Sequence, residues 1–179
     1  MKGDFFMRRN STSQLVTIAV FIAIEVILTR FLSIQTPIVR LGFGFLPVAM
    51  LAILYGPIWA GVAYAIGDIL GMLIWPSGSF FFGFTLSAFL TGIIYGFFFK
   101  NYDVRLPKVL IACACVCFVI NLGLDTVWLS ILQGQAYLAI LPARVIKAAI
   151  AYVLQVTLIP IVYHGVVKHI PALRAQSEA

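Results

Sequence analysis

Asp68, Asp125, Arg144 and Lys147 are the side chains best placed to do chemistry in this sequence, because each interrupts a long apolar run. Glu25 and Arg30 interrupt or flank another such run. Only 10% of the residues are charged, and no charge falls between Arg40 and Asp68 or between Asp68 and Lys100. A charge held in hydrocarbon is costly unless it is paired or faces a polar cavity. The pattern therefore predicts a membrane protein with a polar pocket inside it. Asn121, Asp125 and Trp128 follow i, i+4, i+7 and share one helix face, and Arg144 and Lys147 share another at i, i+3. Two adjacent cations call for anions, which can be a ligand carboxylate or phosphate, or Asp68, Asp125 and Glu25. Trp75, Phe80, Phe81, Phe82, Phe84 and Trp128 surround the same level, and flat rings stack on such faces. The ligand this predicts is planar, heteroaromatic and hydrogen-bonding, with an anionic tail. A carboxylate would accept from an amino-substituted ring while Arg and Lys hold the tail.

The elements that must position these groups follow from composition. With 63% hydrophobic residues and a mean hydropathy of +1.08, the chain has too little polar surface for a soluble domain of 179 residues. A spanning helix needs about 20 mostly apolar residues, and the sequence divides into about six such segments. They run over residues 13–32, 45–54, 57–75, 82–99, 107–132 and 139–168. The second is short, and is expected to be tilted or extended by the apolar stretch that begins at Leu41. The N-terminus does not read as a cleaved signal, since the apolar run is too long and no small-x-small site follows it.

Basic residues set the orientation, because cytoplasmic loops retain Lys and Arg. With the N-terminus inside and six spans, Lys2, Arg8, Arg9, Lys100, Arg105, Lys108, Lys168 and Arg174 are all cytoplasmic. The net charge of +6 then needs no nucleic-acid partner. Arg30, Arg40, Arg144 and Lys147 fall at or within the outer half. A helical rise of about 1.5 Å per residue puts Asp68 and Asp125 about 10 Å below the outer ends of their spans, and Arg144 and Lys147 about 8 to 12 Å deep. Charges from four segments thus reach one level in the outer third of the membrane.

Plainer readings stand beside these. Trp75 and Trp128 can be interfacial belt residues, and Arg30 and Arg40 can snorkel to headgroups. Asp68 and Asp125 have no snorkelling route, so their plain reading is a structural ion pair with Arg144 or Lys147. Glu25 lies deeper and reads as a helix–helix pairing group. Cys113, Cys115 and Cys117 resemble metal spacing, but on a helix Cys115 points away from the other two, and buried thiols are common. His164 and His169 lack a carboxylate or Cys cluster, so no metal site is expected. Ala19 and Ala23, four apart, leave a smooth strip for close helix approach, as do Ala63, Gly67 and Gly71. No phosphate-cradling motif and no nucleophile constellation is visible, so no catalytic residues are assigned. Active transport would draw on an ion gradient or on a partner.

The run from Arg30 to Pro47, Arg-Phe-Leu-Ser-Ile-Gln-Thr-Pro-Ile-Val-Arg-Leu-Gly-Phe-Gly-Phe-Leu-Pro, resembles the first-loop signature of the folate-specific S components of energy-coupling factor (ECF) transporters. So do Trp75-Pro-Ser-Gly-Ser-Phe, Gly83-Phe-Thr-Leu-Ser-Ala-Phe-Leu-Thr-Gly, Asn121-Leu-Gly-Leu-Asp-Thr-Val-Trp-Leu-Ser and Leu141-Pro-Ala-Arg-Val-Ile-Lys. The similarity spans about Leu15 to Val167. One departure is Asp125, where many relatives are expected to carry asparagine.

The resemblance implies an all-α integral membrane protein. It would be a six-transmembrane-helix bundle with an outer-facing ligand pocket and a lid loop, around Ile34 to Phe45, between helices 1 and 2. It implies a single membrane domain over 1–179, with 1–11 a cytoplasmic N-terminal segment, 12–168 the bundle and 169–179 a cytoplasmic tail. S components bind a vitamin near the outer face, associate with a transmembrane coupling subunit and two ATPase subunits, and are thought to topple in the membrane. Ala19 and Ala23 then resemble the family's docking strip for the coupling subunit. Folate would be the ligand, with membrane lipid around the bundle, and the chain would need no cofactor or metal of its own. Trp75, Phe81 and Trp128 would pack the pterin ring. Asp68, Asn121 and Asp125 would meet its amino and amide edge, and Arg30, Arg40, Arg144 and Lys147 would hold the tail or the lid. Two alternatives remain at this point: an S component for another vitamin or precursor, and an ion-coupled secondary transporter using Glu25, Asp68 and Asp125.

Overall fold

The first helix buries its polar side and exposes its apolar one. In a computed structural model, α1 (Thr12–Arg30) turns Gln14, Ile18, Glu25, Val26 and Arg30 inward and leaves Leu15, Val16, Val20, Ile24 and Ile27 on the surface. That is backwards for a water-soluble helix and correct for one whose outer solvent is lipid. The structure describes residues 12–35, 40–76, 81–99, 104–134 and 136–165, without the side chains of residues 34, 35, 40 and 41. The basic residues at 2, 8, 9, 100, 168 and 174, Phe80, His169 and loop residues 36–39 lie outside the described residues.

After α1 the chain forms a short antiparallel hairpin, β1 (Ser33–Gln35) against β2 (Arg40–Gly42), with Ser33 opposite Gly42 and Gln35 opposite Arg40. The helix α2 (Phe45–Ile74) follows and is broken at Gly56, whose φ of 82° and ψ of −174° are open to glycine alone among common residues. Pro57 restarts the helix at a position where its missing N–H costs nothing. The first arm is buried almost all round, from Phe45 through Leu54, and forms the core. The second arm buries its small residues, Ala60, Gly61, Ala63, Gly67 and Gly71.

α3 (Phe82–Phe98) packs closely on that arm. A Cβ on Gly92 would come within 2.6 Å of the Ala60 backbone, and one on Gly96 within 2.2 Å of Pro57 Cα. Glycines four apart let the two backbones touch, the packing that stands in for a hydrophobic driving force in lipid.

The segment expected to be one α-helix over 107–132 is a composite. α4 (Leu106–Ala114) passes into a π-helical stretch (Cys115–Leu124) and then into α5 (Asp125–Gln133), which ends at Gly134 with a left-handed φ of 63°. Wide turns of this kind have no signature in apolar periodicity. α6 (Tyr137–Gly165) carries Pro142 and Pro160 within it. Four helical stretches, Thr12–Arg30, Phe45–Ile74, Leu106–Gln133 and Tyr137–Gly165, are long and apolar enough to cross a membrane, and Phe82–Phe98 is a shorter apolar helix. The chain is an all-α membrane protein, with the small hairpin as its β element among the described residues.

Farther from the charged ends, α3, the π segment and α6 are joined by a buried polar contact. Gln155 Oε1 accepts from Tyr95 Oη at 2.9 Å and from Cys117 Sγ at 3.4 Å, and Tyr95 stacks on Phe99. Cys113 and Cys117 are buried free thiols and Cys115 is part-exposed. Among the described residues no His, Cys, Asp or Glu group has a metal-holding arrangement.

Candidate functional site: two ion pairs about an aromatic pair

The end of α1 delivers Arg30 to α2. Its side chain is 2% exposed, and Nη2 lies 3.9 Å from Asp68 Oδ1 and 3.4 Å from the Asp68 carbonyl. Nη1 reaches Met72 Sδ at 3.3 Å and the Trp75 carbonyl at 3.5 Å. The room for this guanidinium comes from Gly71, where a Cβ would lie 2.5 Å from Arg30 Nε. Glu25 is accommodated in the same way. It is buried, and a Cβ on Gly67 would lie 2.1 Å from its Oε2. The strip read as plain packing surface is thus a pair of niches for the charges of α1.

Asp68 is shared with α3, since Thr85 Oγ1 donates to its Oδ2 at 2.9 Å. Two residues further on, Ser87 Oγ accepts from Trp128 Nε1 at 3.2 Å. Trp128 packs on Phe81 with ring centroids 5.6 Å apart and planes tilted by 46°. Gly83 permits that approach, because a Cβ there would lie 2.5 Å from Phe81 and 2.6 Å from Trp128.

The second ion pair joins α5 and α6. Arg144 Nη2 lies 4.0 Å from Asp125 Oδ2, Nε donates to Thr126 Oγ1 at 3.2 Å, and Nη2 donates to the Asn121 carbonyl at 2.8 Å. Lys147, Arg144 and Asp68 all lie close enough to Asp125 to act on its charge. Asp68, Asp125, Arg144 and Lys147, from three separate stretches of sequence, therefore meet in one neighbourhood, with α1 contributing Arg30.

Several expected residues sit differently. Asp68 is paired with Arg30, whereas the plain reading gave it Arg144 or Lys147. Asn121 donates its side-chain Nδ2 to its own π segment, at the Val116 carbonyl (3.2 Å), and presents its backbone carbonyl to Arg144. Trp75 is 57% exposed and packs on Phe31 at 5.9 Å, apart from the Phe81–Trp128 pair. The Arg40 side chain lies outside the described residues, although its backbone is in β2. Ala19 and Ala23 are exposed on α1. Thr85, Ser87 and Thr126 join the site without having been singled out. Their signal was available, as hydroxyls in otherwise apolar helices one turn or less from an expected site residue.

A paired aromatic face, two carboxylates and three cations within a bundle can hold a flat polar ring and an anion together. Comparison with known proteins gives the family. A family profile described as "ECF-type riboflavin transporter, S component" matches residues 9–170. The chain belongs to the S components of ECF-type transporters. This S component is 47% identical over 138 residues to the folate transporter FolT of Clostridium novyi (strain NT), covering 77% of this chain and 80% of that protein. It is 33% identical over 151 residues to FolT of Leuconostoc mesenteroides, covering 81% of each. A crystal structure of FolT bound with folic acid superposes on it with a TM-score of 0.81 at 34% identity, covering 87% of this chain and 93% of that one. As an S component it is a multi-pass membrane transport subunit and not an enzyme.

Proposed function

We propose that this S component binds folate at the site between the two ion pairs and hands it to an ECF module for import. The observation that carries the reading is the meeting of Asp68, Asp125, Arg144 and Lys147 beside the Phe81–Trp128 pair in a chain whose relatives are folate transporters. The pterin packs on Phe81 and Trp128, with Trp75 at the rim. Asp68, Asn121 and Asp125 serve its amino and amide edge. Arg30, Arg40, Arg144 and Lys147 hold the glutamate tail or the lid. The break at Gly56 divides α2 into two crossings, which brings the bundle to six spans in a single membrane domain with both termini cytoplasmic. The hairpin β1–β2 belongs to the lid over the outer-facing pocket. Ala19 and Ala23 dock the coupling subunit, and two ATPase subunits supply the energy, so the chain itself needs no cofactor.

The family profile carries riboflavin in its description, so a flavin is the second ligand to test. Reconstitution in vesicles separates the readings. Folic acid uptake that requires the coupling module and ATP supports the proposal. Uptake by the chain alone under an imposed proton gradient would make it a secondary transporter, and riboflavin uptake in place of folic acid would change the ligand.

A further inference from the structure

The carbonyl that holds Arg144 lies in the wide turn. At the end of the π segment the N–H of Asp125 reaches five residues back, to the Ile120 carbonyl. From Asp125 the chain continues as the α-helix α5. The Asn121 carbonyl lies at this junction, four residues before α5 begins. It receives Arg144 Nη2 at 2.8 Å and Thr126 Oγ1 at 3.5 Å. The same hydroxyl accepts Arg144 Nε at 3.2 Å, and Thr126 is fully buried.

The guanidinium is thus fixed along one edge by neutral dipoles, while Asp125 Oδ2 stands at 4.0 Å, beyond hydrogen-bond distance. These acceptors set the orientation in which the guanidinium, also paired with Asp125, meets an incoming anion. We propose that Thr126, with the Asn121 carbonyl, is a positioning residue that sets how strongly Arg144 holds the anionic end of the ligand. The proposal rests on the folate reading, in which that end is the glutamate tail.

The test compares folic acid with 6-hydroxymethylpterin, which keeps the ring and carries no carboxylate, by calorimetry on the purified full chain. Thr126→Val keeps the side-chain shape and removes the hydroxyl. It should weaken folic acid binding about 10-fold while 6-hydroxymethylpterin stays within about 2-fold, since bonds to charged groups are the strong ones. Thr126→Ser should restore the unaltered affinity. In an Arg144→Met background the change at Thr126 should no longer alter folic acid binding, a coupling that a merely structural role would not produce. Should Thr126→Val not fold, Thr126→Ala is read by the same criteria. Unchanged folic acid binding in the variant overturns the proposal, and so does an equal loss for both ligands. If the unaltered chain does not bind folic acid, the folate reading fails and takes this inference with it.

Discussion

The guanidinium of Arg30 rests on Gly71, at a separation that a single Cβ would reduce to 2.5 Å. One turn earlier Gly67 does the same for Glu25. Charges that α1 could not carry into lipid are thereby sunk into the surface of α2, and the helix that accepts them supplies Asp68 as counter-charge.

Gly71→Ala should therefore destabilise the protein, against the usual trend for a helix interior. Alanine improves helix propensity by about 1 kcal/mol, whereas forcing a buried charge off its partner costs about 3–5 kcal/mol. The second effect wins. Thermal unfolding in detergent should shift downward, and folic acid affinity should fall with it. An upward shift would mean that Arg30 has another place to go.

Asp68→Asn tests the same pair from the other side. It leaves Arg30 buried beside a neutral group, with an expected loss toward the lower end of about 3–5 kcal/mol because Asp68 remains part-exposed. The double variant Arg30→Met, Asp68→Asn should be more stable than the sum of the single losses predicts. Additive losses would show that the two side chains do not depend on one another.

Gly56→Ala meets no neighbouring atom within 4 Å, so any cost is conformational. A residue with a Cβ at φ 82° and ψ −174° is strained by about 1–3 kcal/mol. The melting temperature should drop while folic acid affinity holds, since the break lies at the far end of its arm from Asp68. An unchanged melting temperature would mean that the break can be straightened without cost.

Replacing Ala19 and Ala23 by phenylalanine alters an exposed face of α1 and none of the site. Folic acid binding by the isolated chain should persist, and ATP-dependent uptake with the ECF module should be lost. Full uptake by this variant would remove α1 from the docking surface.

Much of this arrangement was legible in the sequence because lipid makes charges conspicuous. Asp68, Asp125, Arg144 and Lys147 stand out in apolar runs, and helical rise alone brings them to one depth. The helix limits followed from hydropathy, and the Gly56–Pro57 break lies where the second and third expected spans divide. What escaped was local geometry. Which acid pairs with which base depends on niches such as Gly71, and a glycine strip reads the same whether it faces a backbone or a guanidinium. The π segment escaped because apolar residues satisfy a turn of either width. The role of the Asn121 carbonyl escaped with it, since a backbone acceptor carries no residue type. The outward turn of Trp75 onto Phe31 reflects the end of a helix, where periodicity no longer fixes direction.

The central claim, folate bound between the two ion pairs, is tested most directly by the ligand the protein carries when it is purified. Mass spectrometry and absorbance of protein expressed in a folate-containing medium should reveal a pterin, released on denaturation and displaced by added folic acid. A flavin in its place, or protein that carries no pterin and takes up no folic acid, would contradict the account.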